Sequence, residues 1–158
     1  MPRNERVLRD TTEQSAAVMA AAGFPKMAAR VLMTLMVSDQ GLSATDLAQR
    51  LGVSAAAISG AVRYLQVLGL IRRTAQAGSR RDRYELPADS WYASTLDRNP
   101  LFEVLAGLAE RAVGAIDDAS APGSVRSDEM ARFYRFLASR MPALLQEWEE
   151  IRAPGGGG

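Results

Sequence analysis

The clearest chemical signal in this chain is a group of three arginines within four residues. The stretch GSRRDRYEL places Arg80, Arg81 and Arg83 beside a Gly-Ser pair, just before the alternating residues Tyr84 and Leu86. Guanidinium groups stay charged at every physiological pH and bind phosphates or carboxylates through paired hydrogen bonds. Such a group at the tip of a hairpin is typical of a surface that binds a polyanion.

The distribution of charge supports the same chemistry, although the net charge is only +1. Between Ser43 and Leu86 there are seven arginines and three acids, whereas from Pro87 onward there are seven arginines and eleven acids. A basic middle segment followed by an acidic C-terminal part predicts a polyanion-binding module carried on a separate scaffold.

Several classes of function are excluded by composition. The chain has no Cys and no His, so it has no thiol nucleophile, imidazole base or disulfide, and no metal site built on those residues. Its carboxylates show no recognisable acid/base arrangement, so we predict a protein that is not an enzyme and uses no cofactor. The absence of a long apolar stretch or signal peptide favours a cytoplasmic protein, and the Ala- and Arg-rich composition is typical of a GC-rich bacterial genome.

Two short helices with complete capping signals occupy the middle of the chain. In LSATDLAQRLG, Ser43 caps the helix, Asp46 stands at its third position, and Gly52 ends it. In VSAAAISGAVRYLQVLG, Ser54 is the cap and Gly69 the stop. Their spacing predicts a helix-turn-helix.

Further helices are predicted before and after this motif. The first runs from about Asn4 to Ala22, and the second from Pro25, at its first helical position, to about Val37. LIRRTA and DRYEL read as the two strands of a hairpin.

The C-terminal part has a helical apolar pattern. It predicts one helix over NPLFEVLAGLAERAVGAI, a loop over SAPGS, and a last helix that Ser127 caps and that Pro142 kinks or divides.

The second helix of the helix-turn-helix has an unusual outward face. A helical wheel places Ile58, Ala61, Val62 and Leu65 inward and Ala56, Ser59, Gly60 and Arg63 outward. A solvated helix face normally carries Glu, Lys or Gln, because these are better helix formers than Ser or Gly. A face with almost no side-chain bulk favours close approach to another surface, and the DNA major groove admits an α-helix.

The segments DLAQRLGVSAAAIS, VRYLQVLGLIRR and AGSRRDRYEL together resemble the winged helix-turn-helix of MarR-type regulators, most closely the GbsR-like branch, over about residues 25–86. The resemblance implies a mainly α fold with a small β-hairpin, in which N- and C-terminal dimerisation helices flank the winged helix-turn-helix. It also implies that the second helix enters the major groove and the hairpin, or wing, enters the minor groove. The expected DNA-binding residues are Ser43, Thr45, Ser54, Ala56, Ser59, Gly60, Arg63, Arg80, Arg81 and Arg83.

Not every arginine of the wing region is expected to contact DNA. Arg83 could equally be a solvated strand residue paired with Asp82 or Glu85. Arg72 and Arg73 are better explained as strand-surface charges than as residues that read bases.

The predicted organisation has four parts. Residues 1–24 form an N-terminal helix of the dimerisation region, 25–87 the DNA-binding domain, 88–152 a C-terminal helical dimerisation region, and 153–158 a flexible tail. A homodimer would place two recognition helices about 34 Å apart on an inverted repeat in double-stranded DNA. The expected dimerisation residues are Leu101, Leu105, Leu108, Ala112, Phe133 and Leu137.

The predicted function is a DNA-binding transcriptional repressor that a small molecule modulates. The resemblance implies a ligand pocket near Trp91, Tyr92 and Phe102. Another aromatic set, Phe133, Phe136 and Trp148, is more often part of a core than of a ligand pocket. The alternative is a winged-helix adaptor that binds a protein and shows no salt-dependent affinity for duplex DNA.

Overall fold

The computed structural model describes residues 4–75, 78, 81–87, 92–93 and 99–153, which fall into two compact units, Met1–Trp91 and Tyr92–Gly158. The prediction of a mainly helical chain with a small hairpin is confirmed. The first unit contains α1 (Glu5–Ala21), α2 (Lys26–Met36), β1 (Leu42–Ser43), α3 (Ala44–Leu51), α4 (Ala55–Val67), β2 (Arg72–Ala75) and β3 (Asp82–Glu85). The second contains α5 (Asn99–Ala115) and α6 (Pro122–Arg152). Over the described residues, no helix is both long enough and apolar enough for a membrane span.

Local capping decides where α3 and α4 begin and end. The Ser43 hydroxyl accepts from the backbone N–H of Asp46 (3.1 Å), and the Asp46 carboxylate accepts from the backbone N–H of Ser43 (2.9 Å). Gly52 then ends α3 in the left-handed conformation (φ 64°), which costs glycine little. Ser54 caps α4 by accepting from the N–H of Ala57 (3.2 Å). The predicted pair of capped helices is therefore present.

The core of the first unit lies where α2, α3 and α4 meet. Its largest fully buried side chains are Val31, Leu47, Ile58 and Leu65. They come from three different helices, so the apolar contacts hold the helix-turn-helix on α2. α2 itself begins at Lys26, with Pro25 in the capping position and not at the first helical position as predicted.

A three-stranded antiparallel sheet, ordered β1-β3-β2, completes this unit. Tyr84 of β3 lies opposite Leu42 of β1 on one side and Arg73 of β2 on the other. The sequence indicates only β2 and β3, because a strand of two residues is too short to show an alternating pattern. By pairing with β3, β1 ties the start of α3 to the hairpin.

Arg30 of α2 connects three helices of the first unit. Its Nε and Nη2 atoms donate to both carboxylate oxygens of Glu13 in α1, at 2.7–3.0 Å. Its Nη2 also donates to the carbonyl oxygen of Leu51, at the end of α3 (3.2 Å). The side chain of Arg30 is only 18% exposed, so these bonds are partly shielded from water.

The second unit is a helical hairpin whose two helices contact each other through small residues. Among the described residues of this unit, the buried hydrophobic ones are alanines: Ala106 and Ala109 in α5, and Ala131 and Ala138 in α6. At the edge of this contact, the guanidinium of Arg135 binds Glu110 (3.0 Å) and also Glu103. Large apolar side chains of both helices remain exposed, among them Leu101, Val104, Leu108, Phe133, Phe136 and Ile151.

The predicted start of α6 is wrong. SAPGS is not entirely a loop and Ser127 is not a cap, because the helix already begins at Pro122. Proline fits the first turn of a helix, where its missing N–H would have no intrahelical acceptor. Of the two effects predicted for Pro142, division of the helix is excluded, because the helix runs unbroken to Arg152, and a kink stays a prediction. Ala138, one turn before Pro142, stays buried in the hairpin.

The cap of α3 should make the stability of the first unit depend on pH. The backbone N–H of Ser43, and then its hydroxyl, hold the pKa of the Asp46 carboxyl below its ordinary value, assisted by the charges of Arg83 and Arg50. A lowered pKa means that the stabilisation is complete above the unfolded pKa of about 3.9 and is lost as pH falls through the folded pKa. The free energy of unfolding should therefore fall more steeply below about pH 4 in the wild type than in Asp46→Asn.

Asp46→Asn keeps an amide oxygen that can accept the N–H bond, so at pH 7 it should cost no more than about 1 kcal/mol. Chemical denaturation at a series of pH values measures both effects. Equal pH dependence in the two proteins would show that the Asp46 charge does not stabilise the cap.

Candidate nucleic-acid interface

The orientation of α4 is fixed by its buried side. Ile58, Ala61, Val62 and Leu65 are all buried, as the helical wheel predicts. Since one stripe of a helix can face the core only if the opposite stripe faces outward, the direction of the outward face follows directly. Ala56, Ser59, Gly60 and Arg63 are all exposed.

The outward face of α4 is open as well as smooth. A Cβ atom added at Gly60 would have no atom within 4 Å. The free protein therefore gives no packing reason for glycine at this position, where it costs about 1 kcal/mol of helix stability relative to alanine. Arg63 is the charged residue of this face, and within the described part of the chain its guanidinium has no hydrogen-bond or ion-pair partner.

Sequence reasoning missed one residue of this face. Val67, in the last turn of α4, is 80% exposed. At about 100° per residue it lies on the same side of the helix as Ala56, Gly60 and Arg63. Extending the helical wheel by one turn would have found it.

The residues predicted to contact DNA at the starts of α3 and α4 differ in their exposure. Ser43 is buried, and its hydroxyl is bonded to Asp46 both as acceptor (3.1 Å) and as donor (2.8 Å). Thr45, in the first turn of α3, is exposed, and so is the α4 cap Ser54. The N–H groups of a helix start can bind phosphate, and at these two positions such groups lie near the surface.

Arg81 and Arg83 of the β2–β3 hairpin lie in different environments. Arg81 is exposed, and Gly78 in the connecting loop has φ 80°, a conformation that favours glycine. Arg83 is half-buried, and its Nη1 donates to the carbonyl oxygen of Gly41 (2.7 Å), a contact that neither sequence interpretation of this residue included. Arg80 lies outside the described residues.

The two arginines of β2 have acidic partners on β3. Arg72 binds Glu85 at 2.8 Å, and Arg73 lies 3.4 Å from Asp82. Both guanidinium groups are about 60% exposed. This placement agrees with their interpretation as strand-surface charges.

Of the three residues predicted to line a ligand pocket, Tyr92 and Phe102 lie in the second unit and contact different parts of α6. Trp91 lies outside the described residues. Tyr92 contacts the end of α6: its ring lies 5.7 Å from that of Trp148, and its hydroxyl accepts from Arg152 at 2.7 Å. Phe102 stacks on Tyr134 (5.8 Å), fourteen residues and about 21 Å earlier along the same helix.

The described residues also contain no group of three or more Asp or Glu side chains placed to hold a metal ion.

The candidate interface consists of the α4 face, the starts of α3 and α4, and the hairpin. These are the parts of a helix-turn-helix with a wing, and they define the class of winged-helix DNA-binding proteins.

Comparison with known proteins identifies the family within this class. A family model of MarR proteins matches residues 22–82, and a model described as an MmpR5-like MarR family transcriptional regulator matches residues 89–151. The HTH-type transcriptional regulator MmpR5 of Mycobacterium tuberculosis is 31% identical over 131 residues, which cover 82% of this chain and 79% of that protein. A crystal structure of a transcriptional regulator has TM-score 0.81 and 27% identity, with 91% of this chain and 99% of that chain covered.

The chain belongs to the MarR family of transcriptional regulators. It is a DNA-binding regulator of transcription and not an enzyme.

Replacing Gly60 by alanine should separate stability from DNA binding. Because the added Cβ has open space, Gly60→Ala should raise the free energy of unfolding by up to about 1 kcal/mol. If the face lies against DNA, the same methyl group should lower affinity about tenfold, equivalent to ~1.4 kcal/mol. Thermal unfolding and fluorescence anisotropy with duplex DNA measure the two quantities.

The matched control is Gly114→Ala, at an exposed glycine of α5 that also has no atom within 4 Å of the added Cβ. It should leave DNA affinity unchanged. Equal affinities of wild type and Gly60→Ala would mean that this face of α4 does not contact DNA.

Proposed function

We propose that this protein is a cytoplasmic homodimeric repressor that binds an inverted repeat in double-stranded DNA, with α4 in the major groove and the hairpin in the minor groove. The outward face of α4 supports this proposal most directly. Small residues over its first turns allow the helix backbone to come close to the base edges, and Arg63 supplies a permanently charged donor among them.

Electrostatics favours the same surface for DNA. The segment from Ser43 to Leu86 contains seven arginines and three acidic residues, so it has four more basic than acidic residues. Two of those acids, Asp82 and Glu85, are neutralised locally by Arg73 and Arg72. Arg63 and the wing arginines are therefore the charges best placed to neutralise phosphates, which is the sequence-independent part of DNA affinity.

The exposed apolar side chains of the C-terminal hairpin support a homodimer. Leu101 and Leu108 of α5 and Phe133 of α6 are each about half exposed, and Ala112 is exposed as well. Leu105 and Leu137 are half-buried. Exposed apolar surface of this extent on a small chain is characteristic of an interface. A second copy supplies a surface of the same composition, and two-fold symmetry suits a palindromic target.

Repression, the closer relationship to the GbsR-like branch, and modulation by a small molecule remain proposals that derive from the family resemblance. For an effector pocket, the separation of Tyr92 from Phe102 argues against one site formed by both side chains of a single C-terminal unit.

Selection of bound sequences from random duplexes should return an inverted repeat whose half-sites are centred about 34 Å apart, because a two-fold dimer presents two copies of α4.

The Phe133→Glu variant should sediment as a monomer and lose affinity for the full repeat, since the substitution places a charge in the proposed apolar contact.

Arg132→Ala is the control for this variant, because Arg132 is exposed on α6 and, among the described residues, is paired only with Asp128 of its own helix. It should remain dimeric and bind normally. A wild-type protein that sediments as a monomer at roughly micromolar concentration, or a selected sequence without symmetry, would contradict the dimer.

The contribution of the wing should appear in the salt dependence of binding. Arg81→Ala should reduce the slope of log affinity against log salt concentration by about one unit, because one fewer phosphate is neutralised. It should leave stability nearly unchanged, since an exposed charge contributes little to folding. Anisotropy titrations at several salt concentrations give the slope.

Arg83→Ala serves as the comparison within the same hairpin. Its effect on the slope should be smaller, because the Arg83 guanidinium is already bonded to the Gly41 carbonyl. If Arg80→Ala combined with Arg81→Ala keeps the wild-type affinity and slope, the wing does not contact DNA, and an acidic protein partner would explain its charge better.

A further inference from the structure

The exposed positions of α4 determine which bases this helix can read. Recognition helices contact base edges mainly through their N-terminal residues. In the first two turns of α4 the exposed residues include Ala55, Ala56, Ser59 and Gly60, and Arg63 follows in the third turn. Ala56, Gly60 and Arg63 lie within about 60° of one another around the helix, so they face the same stretch of groove.

The exposed face of α4 carries few kinds of side chain that can recognise a base. Adenine is read in the major groove by the paired donor and acceptor of Asn or Gln, and cytosine by Asp or Glu. None of these residue types lies on the face. The nearest is Gln66, which belongs to the last turn and lies roughly 90° around the helix from the centre of the face. The Ser59 hydroxyl is also exposed, but a hydroxyl can bond to several bases and selects none of them strongly. Two base-selective contacts remain, the guanidinium of Arg63 and the methyl groups of the alanines.

Arg63 is well placed for a contact that uses both arms of its guanidinium. Long side chains on a helix lean toward its N-terminus, so Arg63 extends over the preceding turn, which carries Ser59 and Gly60. The space above Gly60 is open, so no side chain limits how flat the guanidinium can lie. Within the described residues it has no partner to give up when it binds a base.

We propose that Arg63 is the specificity-determining residue of this regulator, reading one guanine in each half-site through O6 and N7, while the Ala56 methyl group selects a thymine beside it. The inference rests on the proposed placement of α4 in the major groove. It assigns Gly60 a purpose, which is to leave room for the guanidinium at the groove floor. It also assigns the wing arginines to phosphate and groove-shape contacts that do not distinguish guanine from adenine.

The guanine contact can be tested by removing one acceptor atom from the DNA. In the selected inverted repeat, each guanine is replaced in turn by 7-deazaguanine, which lacks N7 but still pairs with cytosine. At one position in each half-site, wild-type affinity should fall about tenfold, since a bidentate pair contributes about 1–3 kcal/mol of discrimination. Arg63→Ala should bind that modified duplex and the unmodified one with affinities within about twofold of each other, as expected when the two changes remove the same contact.

Arg81→Ala is the control, because it also removes an arginine but should keep the full penalty for 7-deazaguanine. Arg63→Lys should keep the charge, and with it the salt slope, but lose most of the penalty because an ammonium group lacks the planar fork. The thymine contact is tested by uracil, which lacks the methyl group. Wild type should lose about threefold at one position per half-site, and Ala56→Gly should show no loss there.

The outcomes separate this inference from the proposed function. A wild-type protein that binds an inverted repeat, with the 7-deazaguanine penalty unchanged in Arg63→Ala, would overturn the role of Arg63 and leave the proposed function intact. A wild-type protein that selects no sequence from random duplexes would overturn both.

Discussion

The complete burial of one side of α4 is the constraint on which the proposed interface depends. Ile58 and Leu65 are removed from water against Leu47 of α3 and Val31 of α2, and burying side chains of this size contributes about 1.5–3 kcal/mol each. A rotation of α4 about its own axis would expose them. The direction of the opposite face is thus fixed by packing, and the residues on that face are free to be small or charged without loss of the fold. Gly60 illustrates this freedom, because glycine lowers the stability of the helix by less than the burial of the opposite side raises it.

Capping and periodicity made the helix-turn-helix predictable, because each signal lies within a few residues of the structure it specifies. Ser43 with Asp46, Gly52 in its left-handed turn, and Ser54 are all found where the sequence places them. The errors occurred where the decisive contact lies far along the chain or the signal is very short. Arg83 binds a carbonyl forty-two residues away, and β1 has only two residues. α6 starts at Pro122 and not after Ser127, because a proline in the first turn suits a helix start as well as a serine cap does.

The contacts in the structure also change what the arginine-rich middle segment implies. A count of charges treats its arginines alike, whereas the structure separates them by partner. Arg72 and Arg73 form ion pairs across the hairpin, and Arg83 holds the hairpin to the loop before β1. Arg63 lies exposed on α4. Contacts within the protein therefore already occupy the guanidinium groups of Arg72, Arg73 and Arg83, whereas that of Arg63 faces solvent on the recognition helix. The sequence therefore predicts which surface binds DNA, but not which of its arginines are already bonded within the protein.

The alanine contacts between α5 and α6 have a consequence for folding. Alanine buries little apolar area, so each of these contacts contributes far less than a buried leucine would, while several larger side chains, among them Leu101, Leu108 and Phe133, stay about half exposed in the single chain. If two copies pair through those side chains, most of the hydrophobic stabilisation of the hairpin arises only on association. Folding of the C-terminal unit and assembly of the protein would then be one equilibrium, governed by mass action. Its melting temperature would rise with protein concentration, and in a cell the abundance of the protein would itself set the fraction that is folded.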